Sequence, residues 1–355
     1  MNEIAILGDT HFGVRSDSLD FHNYYKRFYD DVFFPYLIQK GIKIVIQLGD
    51  SFDRRKYINL NTLYLVREYF YSKFLEYDIK FITLVGNHDS FYKNTLKVNS
   101  PELLISGYKN VEVITEFTTI KINNVSIDII PWICEDNRDH IIEKIKSSLS
   151  DICMGHLEIT GFEVNRGSVF KSEAEQLDLS GYKKVLSGHF HHKSDDGHVF
   201  YIGTPGENTW ADWNDVRGFH TFDVVTSELV FIPNPYRMFN KLIYDDTEQS
   251  VEYWKDFDYD SLSGSYVKIV VINKGNPYLF DTVLDSLYKS EVGDISVVED
   301  FTDEEIEEVC VDQAEDTMTI LDKVIDTQPL DIDVDKLKKI MREIYIEALD
   351  TQKTE

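Results

Sequence analysis

The stretch Ile4-Ala5-Ile6-Leu7-Gly8-Asp9-Thr10-His11 opens the chain with an apolar run, a glycine and two side chains that can bind a metal ion. Four later stretches repeat this order: Gly49-Asp50-Ser51-Phe52-Asp53, Gly86-Asn87-His88-Asp89, Gly155-His156 and Gly188-His189-Phe190-His191. An apolar run that reads as a short buried strand precedes each of them. Because ligands in open α/β sheets gather at the carboxyl ends of strands, the five stretches predict one site built from five strand ends.

The apolar runs and the helical patterns between them predict a layered α/β architecture. The five predicted strands are Ile4–Leu7, Ile44–Leu48, Phe81–Val85, Ile152–Met154 and Val185–Leu186. Helical patterns from Phe21 to Gln39 and from about Leu60 to Tyr77 separate the first three strands, which gives a β-α-β-α-β order. Close-set alternating runs between Val111 and Ile130 begin a second sheet. We therefore predict an α/β sandwich over residues 1–235.

A second, smaller unit follows two closely spaced prolines, Pro233 and Pro235, which mark a domain exit. Residues 240–300 carry a β-α-β pattern, with strands at Tyr266–Ile272 and Asp294–Val298 around a helix near Tyr278–Lys289. This pattern predicts a small α+β domain.

Residues 301–355 are predicted to form an acidic linker and a helical tail. The tail is an amphipathic helix, Asp335–Leu349, whose apolar residues recur at helical spacing. Those residues include Leu337, Ile340, Met341, Ile344 and Tyr345. The helix either docks on a partner or packs against its own domain, and the weakly hydrophobic linker before it favours docking.

Composition and charge narrow the function classes. The 355 residues carry a net charge of −27, and the segment from residue 300 to the end holds 18 acidic and only 6 basic side chains. Such a chain gains little from long-range attraction to nucleic acid, although bound divalent cations would supply positive charge locally. The three cysteines lie far apart, which predicts a reducing cytoplasm. No apolar run reaches about 18 residues, and the N-terminus has no signal-peptide pattern.

The side chains in the five stretches predict a site for two metal ions. Carboxylate, imidazole and carboxamide groups together are ligands for Mn, Fe or Zn. Seven residues offer them: Asp9, His11, Asp50, Asn87, His156, His189 and His191. Seven ligands exceed what one ion needs and fit two ions that share a carboxylate. Two ions roughly 3.5–4 Å apart can clamp a phosphodiester and activate a water molecule.

In order and spacing, the five stretches resemble the calcineurin-like metallophosphoesterase superfamily, over roughly residues 1–235. The resemblance implies a four-layered α/β sandwich with a dinuclear site. One ion would be held by Asp9, His11 and His191, the other by Asn87, His156 and His189, with Asp50 as the bridge. His88 would orient the phosphate and protonate the leaving oxygen, with Asp89 as its orienting partner.

Three segments resemble one branch of that superfamily, the SbcD-type double-strand-break-repair nucleases: Gly8–Gly13, Tyr201–Pro205 and Trp213–Phe219. The branch implies a nuclease that uses two Mn²⁺ ions, with Mg²⁺ as the alternative. Its activities would be 3′-to-5′ exonuclease on duplex DNA and endonuclease on single strands.

The same branch implies partners and a setting. Residues 240–300 would be a DNA-capping domain, and the C-terminal helix would bind an SMC-like ABC ATPase of the SbcC type. Helices of the nuclease domain would form a homodimer. The compact length and acidic character are most similar to phage members of the branch, which act in recombination and repair in the host cytoplasm.

Several side chains admit two interpretations. Arg54, Arg55 and Lys56 either contact the DNA backbone or form a solvated loop, and Asp53 stands where break-repair nucleases often carry His. Core packing suits Trp210 and Trp213 better than stacking on bases. The remaining histidines are predicted to be ordinary surface or loop residues, namely His22, His140, His192, His198 and His220.

Two other functions fit the same motifs. A phosphatase or cyclic-nucleotide phosphodiesterase with a small substrate would need neither a capping domain nor a docking helix. A non-catalytic scaffold that only binds a partner would have no need of seven intact ligands.

Overall fold

In a computed structural model, residues 2–165, 168–171 and 176–299 are described. In chain order the strands are β1 (Glu3–Leu7), β2 (Ile44–Gln47), β3 (Lys80–Leu84), β4 (Val111–Ile114), β5 (Thr118–Ile122), β6 (Val125–Ile130), β7 (Ile152–His156), β8 (Glu163–Asn165), β9 (Ser168–Val169), β10 (Lys184–Gly188), β11 (Ser194–Asp195), β12 (Val199–Tyr201), β13 (Gly218–Asp223), β14 (Leu229–Pro233), β15 (Phe239–Asp245), β16 (Tyr266–Asn273) and β17 (Asp294–Val298). All five predicted strands are present.

Fourteen of these strands form two six-stranded sheets and a two-stranded ribbon. The first sheet has the order β14-β13-β1-β2-β3-β4, and the second has the order β11-β12-β10-β7-β6-β5. The centre of each sheet is parallel, from β1 to β4 in the first and from β6 to β12 in the second. The carboxyl ends of the parallel strands therefore meet at one edge of each sheet, where loops carry the five predicted ligand stretches.

The two sheets pack face to face with helices outside, as the predicted four-layered sandwich requires. Ile4 and Ile6 point into the core between the sheets, where Ile152 and Met154 of the second sheet meet them. Ala5 belongs to the outer core of the first sheet. Both faces of β1 are thus buried from Ile4 to Leu7, which explains why these four residues are all apolar. On the outer face of the second sheet, Cys153 and Val185 pack with Ile141 of a helix.

The helices lie mainly on the first sheet. They are α1 (Leu19–Phe28), α2 (Phe34–Lys40), α3 (Leu60–Val66), α4 (Ser72–Glu76), α5 (Ser100–Leu104), α6 (Arg138–Ser147), α7 (Val251–Asp256) and α8 (Pro277–Lys289). A π-helical turn, Tyr29–Phe33, joins α1 to α2, and a second one, Arg67–Tyr71, joins α3 to α4.

The π-helical turns depart from the two uniform helices that the sequence predicted. Tyr69, Phe70 and Tyr71 are consecutive, yet each is at most 3% exposed. A regular α-helix cannot direct three consecutive side chains into one core, whereas a π-turn widens the buried face. The two turns pack against each other, with the Tyr29 and Phe70 ring centres 4.6 Å apart.

A three-stranded parallel sheet, β15-β16-β17, forms the smaller unit with α7 and α8. The predicted β-α-β elements are present, while β15 and α7 were not predicted. The connection between the units is packed rather than open. Asn234, between the two prolines, donates to the Pro205 carbonyl over 3.0 Å, and Phe239 belongs to the outer core of the first sheet. The predicted acidic linker and C-terminal helix lie outside the described residues.

No helix in the described part of the chain combines the length and apolar character that crossing a membrane requires.

Two histidines that were predicted to be ordinary are buried. The His22 ring is hydrogen-bonded through Nδ1 to Tyr69 Oη at 3.1 Å and through Nε2 to Thr62 Oγ1 at 2.9 Å. His220 lies in β13, opposite Ile6 on one side and Phe231 on the other, and is 4% exposed. The prediction was wrong for both, because the aromatic layer and the strand pairing that bury them are set by distant parts of the chain.

The buried His220 predicts a component of acid sensitivity. Burial, with the nearby Lys193 ammonium, lowers the pKa of His220 to about 3. In the unfolded chain this imidazole binds a proton below about pH 6.5, whereas in the folded chain it stays neutral down to about pH 3. The free energy of unfolding should therefore decrease as the pH is lowered from 6.5 to 3, by at most about 1.4 kcal/mol per pH unit. We expect His220→Gln to flatten this dependence in urea unfolding with EDTA. The exposed His140, changed to Gln, is the control, and equal slopes for wild type and His220→Gln would refute the prediction.

Candidate metal centre

Loops from both sheets bring the five sequence stretches to one edge of the sandwich. Asp9 and His11 follow β1, Asp50 follows β2, and Asn87 follows β3. From the second sheet, His156 ends β7, and His189 and His191 follow β10. Glycines let the loops approach closely, since a Cβ at Gly86 would lie 2.1 Å from Asp50 Oδ1. All seven predicted ligands therefore meet in one place.

Asp9, His11 and His191 form the first group of candidate ligands. His11 Nε2 and His191 Nε2 face each other at 2.9 Å, and Asp9 Oδ2 lies 3.9 and 4.0 Å from them. Burial lowers the pKa of His11 and brings that of His191 to about 4, so both rings are neutral at pH 7. Two neutral rings that point nitrogen atoms at each other beside a carboxylate suit a shared cation.

Asn87, His156 and His189 form the second group. Asn87 Oδ1 lies 2.8 Å from His156 Nε2 and 3.0 Å from His189 Nδ1. His156 Nδ1 is 2.7 Å from the Leu48 carbonyl and donates to it, which leaves the Nε2 lone pair for a metal. The other ring nitrogen of His189, Nε2, is 3.4 Å from Glu158 Oε2, so Nδ1 is free as the ligand.

Asp50 lies between the two groups, as a bridging ligand must. Its Oδ2 atom is 3.8 Å from His11 Nε2 and 3.4 Å from His156 Nε2. Its Oδ1 atom accepts a hydrogen bond from the His88 main-chain N–H over 2.7 Å. Asp50 has a positive φ of 51°, so the loop backbone adopts a strained conformation to place this carboxylate.

The electrostatics of the cluster also fit bound cations. Asp9 and Asp50 are each 1% exposed, and two carboxylates this deeply buried require positive charge nearby. Although burial opposes it, the charges of Asp50 and Asp9 raise the pKa of His156 to about 9. A proton on His156 thus balances part of the charge that bound cations would neutralise, and ligation would release it.

His88 lies beside the cluster without belonging to either group of ligands. Its ring is 4.8 Å from the His11 ring, and its Nδ1 atom is 2.7 Å from the Asp53 carbonyl oxygen. Donation from Nδ1 to that carbonyl fixes the ring and leaves Nε2 available for another contact. The sequence predicted that Asp89 orients His88. In the structure, the main-chain carbonyl of Asp53 makes the contact that orients the ring instead.

Asp89 instead joins two of the metal-binding loops. Its carboxylate accepts hydrogen bonds from the main-chain N–H groups of Ser51 at 2.9 Å, Phe52 at 3.2 Å and Gly86 at 2.9 Å. Burial, followed by the charge of Asp50, raises the pKa of Asp89 to about 6. Asp89 therefore acts on His88 only through the loops that it holds together.

The predicted DNA-contacting residues differ in how available they are. Arg54 Nη1 pairs with Asp17 Oδ2 at 3.0 Å, and its guanidinium lies over the Tyr57 ring at 5.0 Å. Arg55 is half-buried and Lys56 is exposed. Asp53 Oδ1 lies 3.8 Å from His11 Nδ1. Arg54 is thus occupied by Asp17, and of the three cations Lys56 is the most open to a ligand.

Two residues near the cluster were missed by the sequence analysis. The Trp132 ring centre lies 5.1 Å from that of His189, and Glu158 contacts the same imidazole. Trp132 follows β6, a parallel neighbour of β7, so its position just beyond a strand end was a usable signal. Glu158 gave no signal beyond its closeness in sequence to His156.

Comparison with known proteins agrees with the geometry. The family described as calcineurin-like phosphoesterase matches residues 3–193. Exonuclease subunit 1 of Enterobacteria phage T4 is 33% identical over 354 residues, which cover 98% of this chain and 99% of that protein. A hypothetical protein from Thermus thermophilus is 14% identical with a TM-score of 0.35, over 66% of this chain and 98% of its own. GAP50, the anchor in the inner membrane complex of Plasmodium, is 13% identical with a TM-score of 0.41, and the match covers 66% of this chain and 89% of GAP50. The family match and the full-length relative together establish that the chain belongs to the calcineurin-like phosphoesterase family and is a phosphodiester hydrolase.

Proposed function

We propose that this phosphodiester hydrolase is a Mn²⁺-dependent DNA nuclease, the catalytic subunit of a recombination and repair complex. The observation that carries the proposal is that seven candidate ligands lie together at one edge of the sandwich. A relative that matches nearly the whole chain is named an exonuclease subunit, which favours DNA as the substrate. The expected activities are 3′-to-5′ exonuclease on duplex DNA and endonuclease on single strands.

The mixture of carboxylate, carboxamide and imidazole groups fits two divalent cations such as Mn, Fe or Zn. Among these, the resemblance to the break-repair nucleases favours Mn²⁺, with Mg²⁺ as the alternative. One ion would be held by Asp9, His11 and His191, the other by Asn87, His156 and His189, with Asp50 shared. When bound, such a pair supplies positive charge to the phosphate and lowers the pKa of a water molecule.

The chain's own groups account for orientation and proton transfer. His88 Nδ1 donates to the Asp53 carbonyl, which leaves Nε2 as the atom that would pass a proton to the departing 3′ oxygen. The main-chain contact from His88 to Asp50 fixes this donor relative to the shared carboxylate. Asp89 keeps the two loops that carry Asp50 and His88 in register.

Residues 240–300 are proposed to cap the DNA. Lys241 and Lys268 are paired across β15 and β16, and their ammonium groups lie over the rings of Trp213 at 4.1 Å and Trp210 at 4.3 Å. Both tryptophans belong to the segment that follows the last metal-binding stretch. These contacts hold the smaller unit against the segment that follows the last metal-binding stretch, which supports the proposed capping role.

The test is degradation of end-labelled duplex DNA and of circular single strands by the purified chain, in Mn²⁺ and in Mg²⁺. A small aryl phosphodiester is tested in parallel. Mn²⁺-dependent shortening of DNA from its 3′ ends is the expected result. Turnover of the small ester with DNA left intact, even after an SMC-like ATPase is added, would refute the nuclease proposal and favour a small-substrate phosphodiesterase.

The proposed partners are an SMC-like ABC ATPase, bound by the C-terminal helix, and a second copy of the chain, with host cytoplasm as the setting. The residues proposed for ATPase binding, Leu337, Ile340, Met341, Ile344 and Tyr345, lie outside the described part of the chain.

For the homodimer, exposed apolar side chains on neighbouring helices offer support. Leu60 and Tyr64 of α3 are 81% and 62% exposed, and Leu103 of α5 is 72% exposed. Arg67, which follows α3, donates to the Leu104 carbonyl over 3.1 Å and keeps the two helices together.

We expect the double change Leu60→Glu and Tyr64→Glu to convert a dimer into a monomer, because two buried charges would face a second copy. The measurement is molar mass by light scattering during size-exclusion chromatography. Leu149→Glu, at a residue that is 98% exposed beyond α6, is the matched control and should stay dimeric. A wild-type chain that elutes as a monomer at micromolar concentration would refute the homodimer.

A further inference from the structure

Arg217 is a buried cation in the segment Trp213–Phe219, to which the proposed mechanism assigns no role. It immediately precedes β13 and is 5% exposed. Its Nη2 atom pairs with Asp212 Oδ1 at 2.6 Å and with Asp215 Oδ2 at 2.9 Å. Its Nη1 atom donates to the main-chain carbonyl of His191 and to Thr204 Oγ1 at 3.1 Å. A buried arginine thus directs one of its nitrogens to the backbone of a candidate metal ligand.

The other contacts of the guanidinium make it a fixed anchor. The second oxygen of Asp212 accepts hydrogen bonds from the main-chain N–H groups of Asn208 at 2.7 Å and Thr209 at 2.9 Å. Asp212 therefore holds Arg217 to a short helical turn. The fork geometry of arginine lets it serve this turn and the His191 loop together, which a lysine cannot reproduce.

The same cluster holds the loop at three points. The Thr204 N–H donates to the His191 carbonyl over 3.1 Å, so that oxygen accepts two hydrogen bonds. The next residue, His192, places Nδ1 2.7 Å from Asp215 Oδ2. Backbone and side chain on either side of the His191 peptide are thus tied to one network centred on Arg217.

His191 needs such an anchor more than its neighbours do. Its side chain is 30% exposed, whereas the side chains of His11 and Asp9, the other members of its group, are 3% and 1% exposed. Close packing therefore restrains His11 and Asp9 more than it restrains the partly exposed His191 imidazole. In the second group, His156 is fixed differently, by its own hydrogen bond to the Leu48 carbonyl.

We propose that Arg217 is a positioning residue that fixes His191 for the first metal ion and leaves the second ion unaffected. The inference rests on the proposed metal centre. It adds that the two groups of candidate ligands are held in place by different contacts. Groups that orient metal ligands typically change metal affinity roughly 10- to 100-fold when removed.

The test is calorimetric titration of the full chain with Mn²⁺, beside thermal melting in EDTA. The wild type should bind two ions. Arg217→Met should bind one ion with wild-type affinity and the other at least roughly tenfold more weakly. Arg217→Lys should fall between, because an ammonium restores charge and one hydrogen bond but not the fork. Asp215→Asn, which keeps the shape of the cluster, should weaken the same ion.

Arg237→Met is the matched control, since Arg237 pairs at 3.0 Å with a different buried carboxylate, that of Glu207. It should lower thermal stability without changing either ion. Equal affinities for both ions in Arg217→Met and wild type would overturn the inference, as would equal weakening of both ions. Loss of the folded state in all three cluster variants would assign Arg217 a structural role and overturn it too. A wild-type chain that binds no ions would instead refute the metal centre itself.

Discussion

We expect His88→Ala to lower kcat for DNA cleavage by roughly 10²- to 10⁴-fold while both metal ions remain bound. The imidazole is held at Nδ1 by the Asp53 carbonyl and is absent from both groups of candidate ligands described above. Its loss should therefore remove a proton donor and not a ligand. The main-chain contact from residue 88 to Asp50 survives the change, because it uses the backbone N–H.

The nature of the leaving group separates proton donation from general damage. Departure of a deoxyribose 3′ oxygen requires a proton, whereas departure of p-nitrophenolate does not. We expect His88→Ala to retain far more of its activity on a p-nitrophenyl phosphodiester than on DNA. His140→Ala, at an exposed residue of α6, should resemble the wild type on both substrates. An equal loss on the two substrates, or loss of Mn²⁺ binding in titration calorimetry, would contradict the role of His88 as an acid.

The ligand cluster was predictable because its information is local in the sequence. Each candidate ligand lies at the end of a buried strand or within four residues after it, and parallel strands bring their carboxyl ends to one edge. Asp9 after β1 and His156 at the end of β7 came together for this reason, although they lie in different sheets. The fold class followed in the same way, since the apolar runs Ile4–Leu7 and Ile44–Ile46 predicted strands that are covered on both faces.

Side-chain contacts between residues far apart in the sequence could not be predicted from the local sequence. Asp17 neutralises Arg54 from a turn in which Arg15, Ser16 and Asp17 all have positive φ, a conformation that non-glycine residues rarely adopt in succession. Asp89 was expected to serve its neighbour, His88. It turned instead towards three main-chain donors, which exist only once the loops after β2 and β3 have met.

The largest effect on metal binding is expected for Asp50→Asn. The amide keeps the size of the carboxylate and an oxygen that can accept from the His88 main chain, but it removes the negative charge between His11 and His156. Asp9 would then be the only carboxylate among the seven candidate ligands. Because Asp50 Oδ2 lies 3.8 Å from His11 Nε2 in one group and 3.4 Å from His156 Nε2 in the other, both ions should be lost together, and DNA cleavage with them.

Thermal unfolding with and without Mn²⁺ measures this loss independently of activity. An ion at a free concentration one hundred times its Kd stabilises the native state by about 2.7 kcal/mol, so Mn²⁺ should raise the wild-type Tm and leave that of Asp50→Asn unchanged. Asn87→Ala is the informative control, because Asn87 contacts only the second group and its variant should keep part of the Mn²⁺-induced stabilisation. If Asp50→Asn retained one ion at wild-type affinity, the Asp50 carboxylate would bind only the other ion, and the proposal that it is shared between the two ions would be refuted.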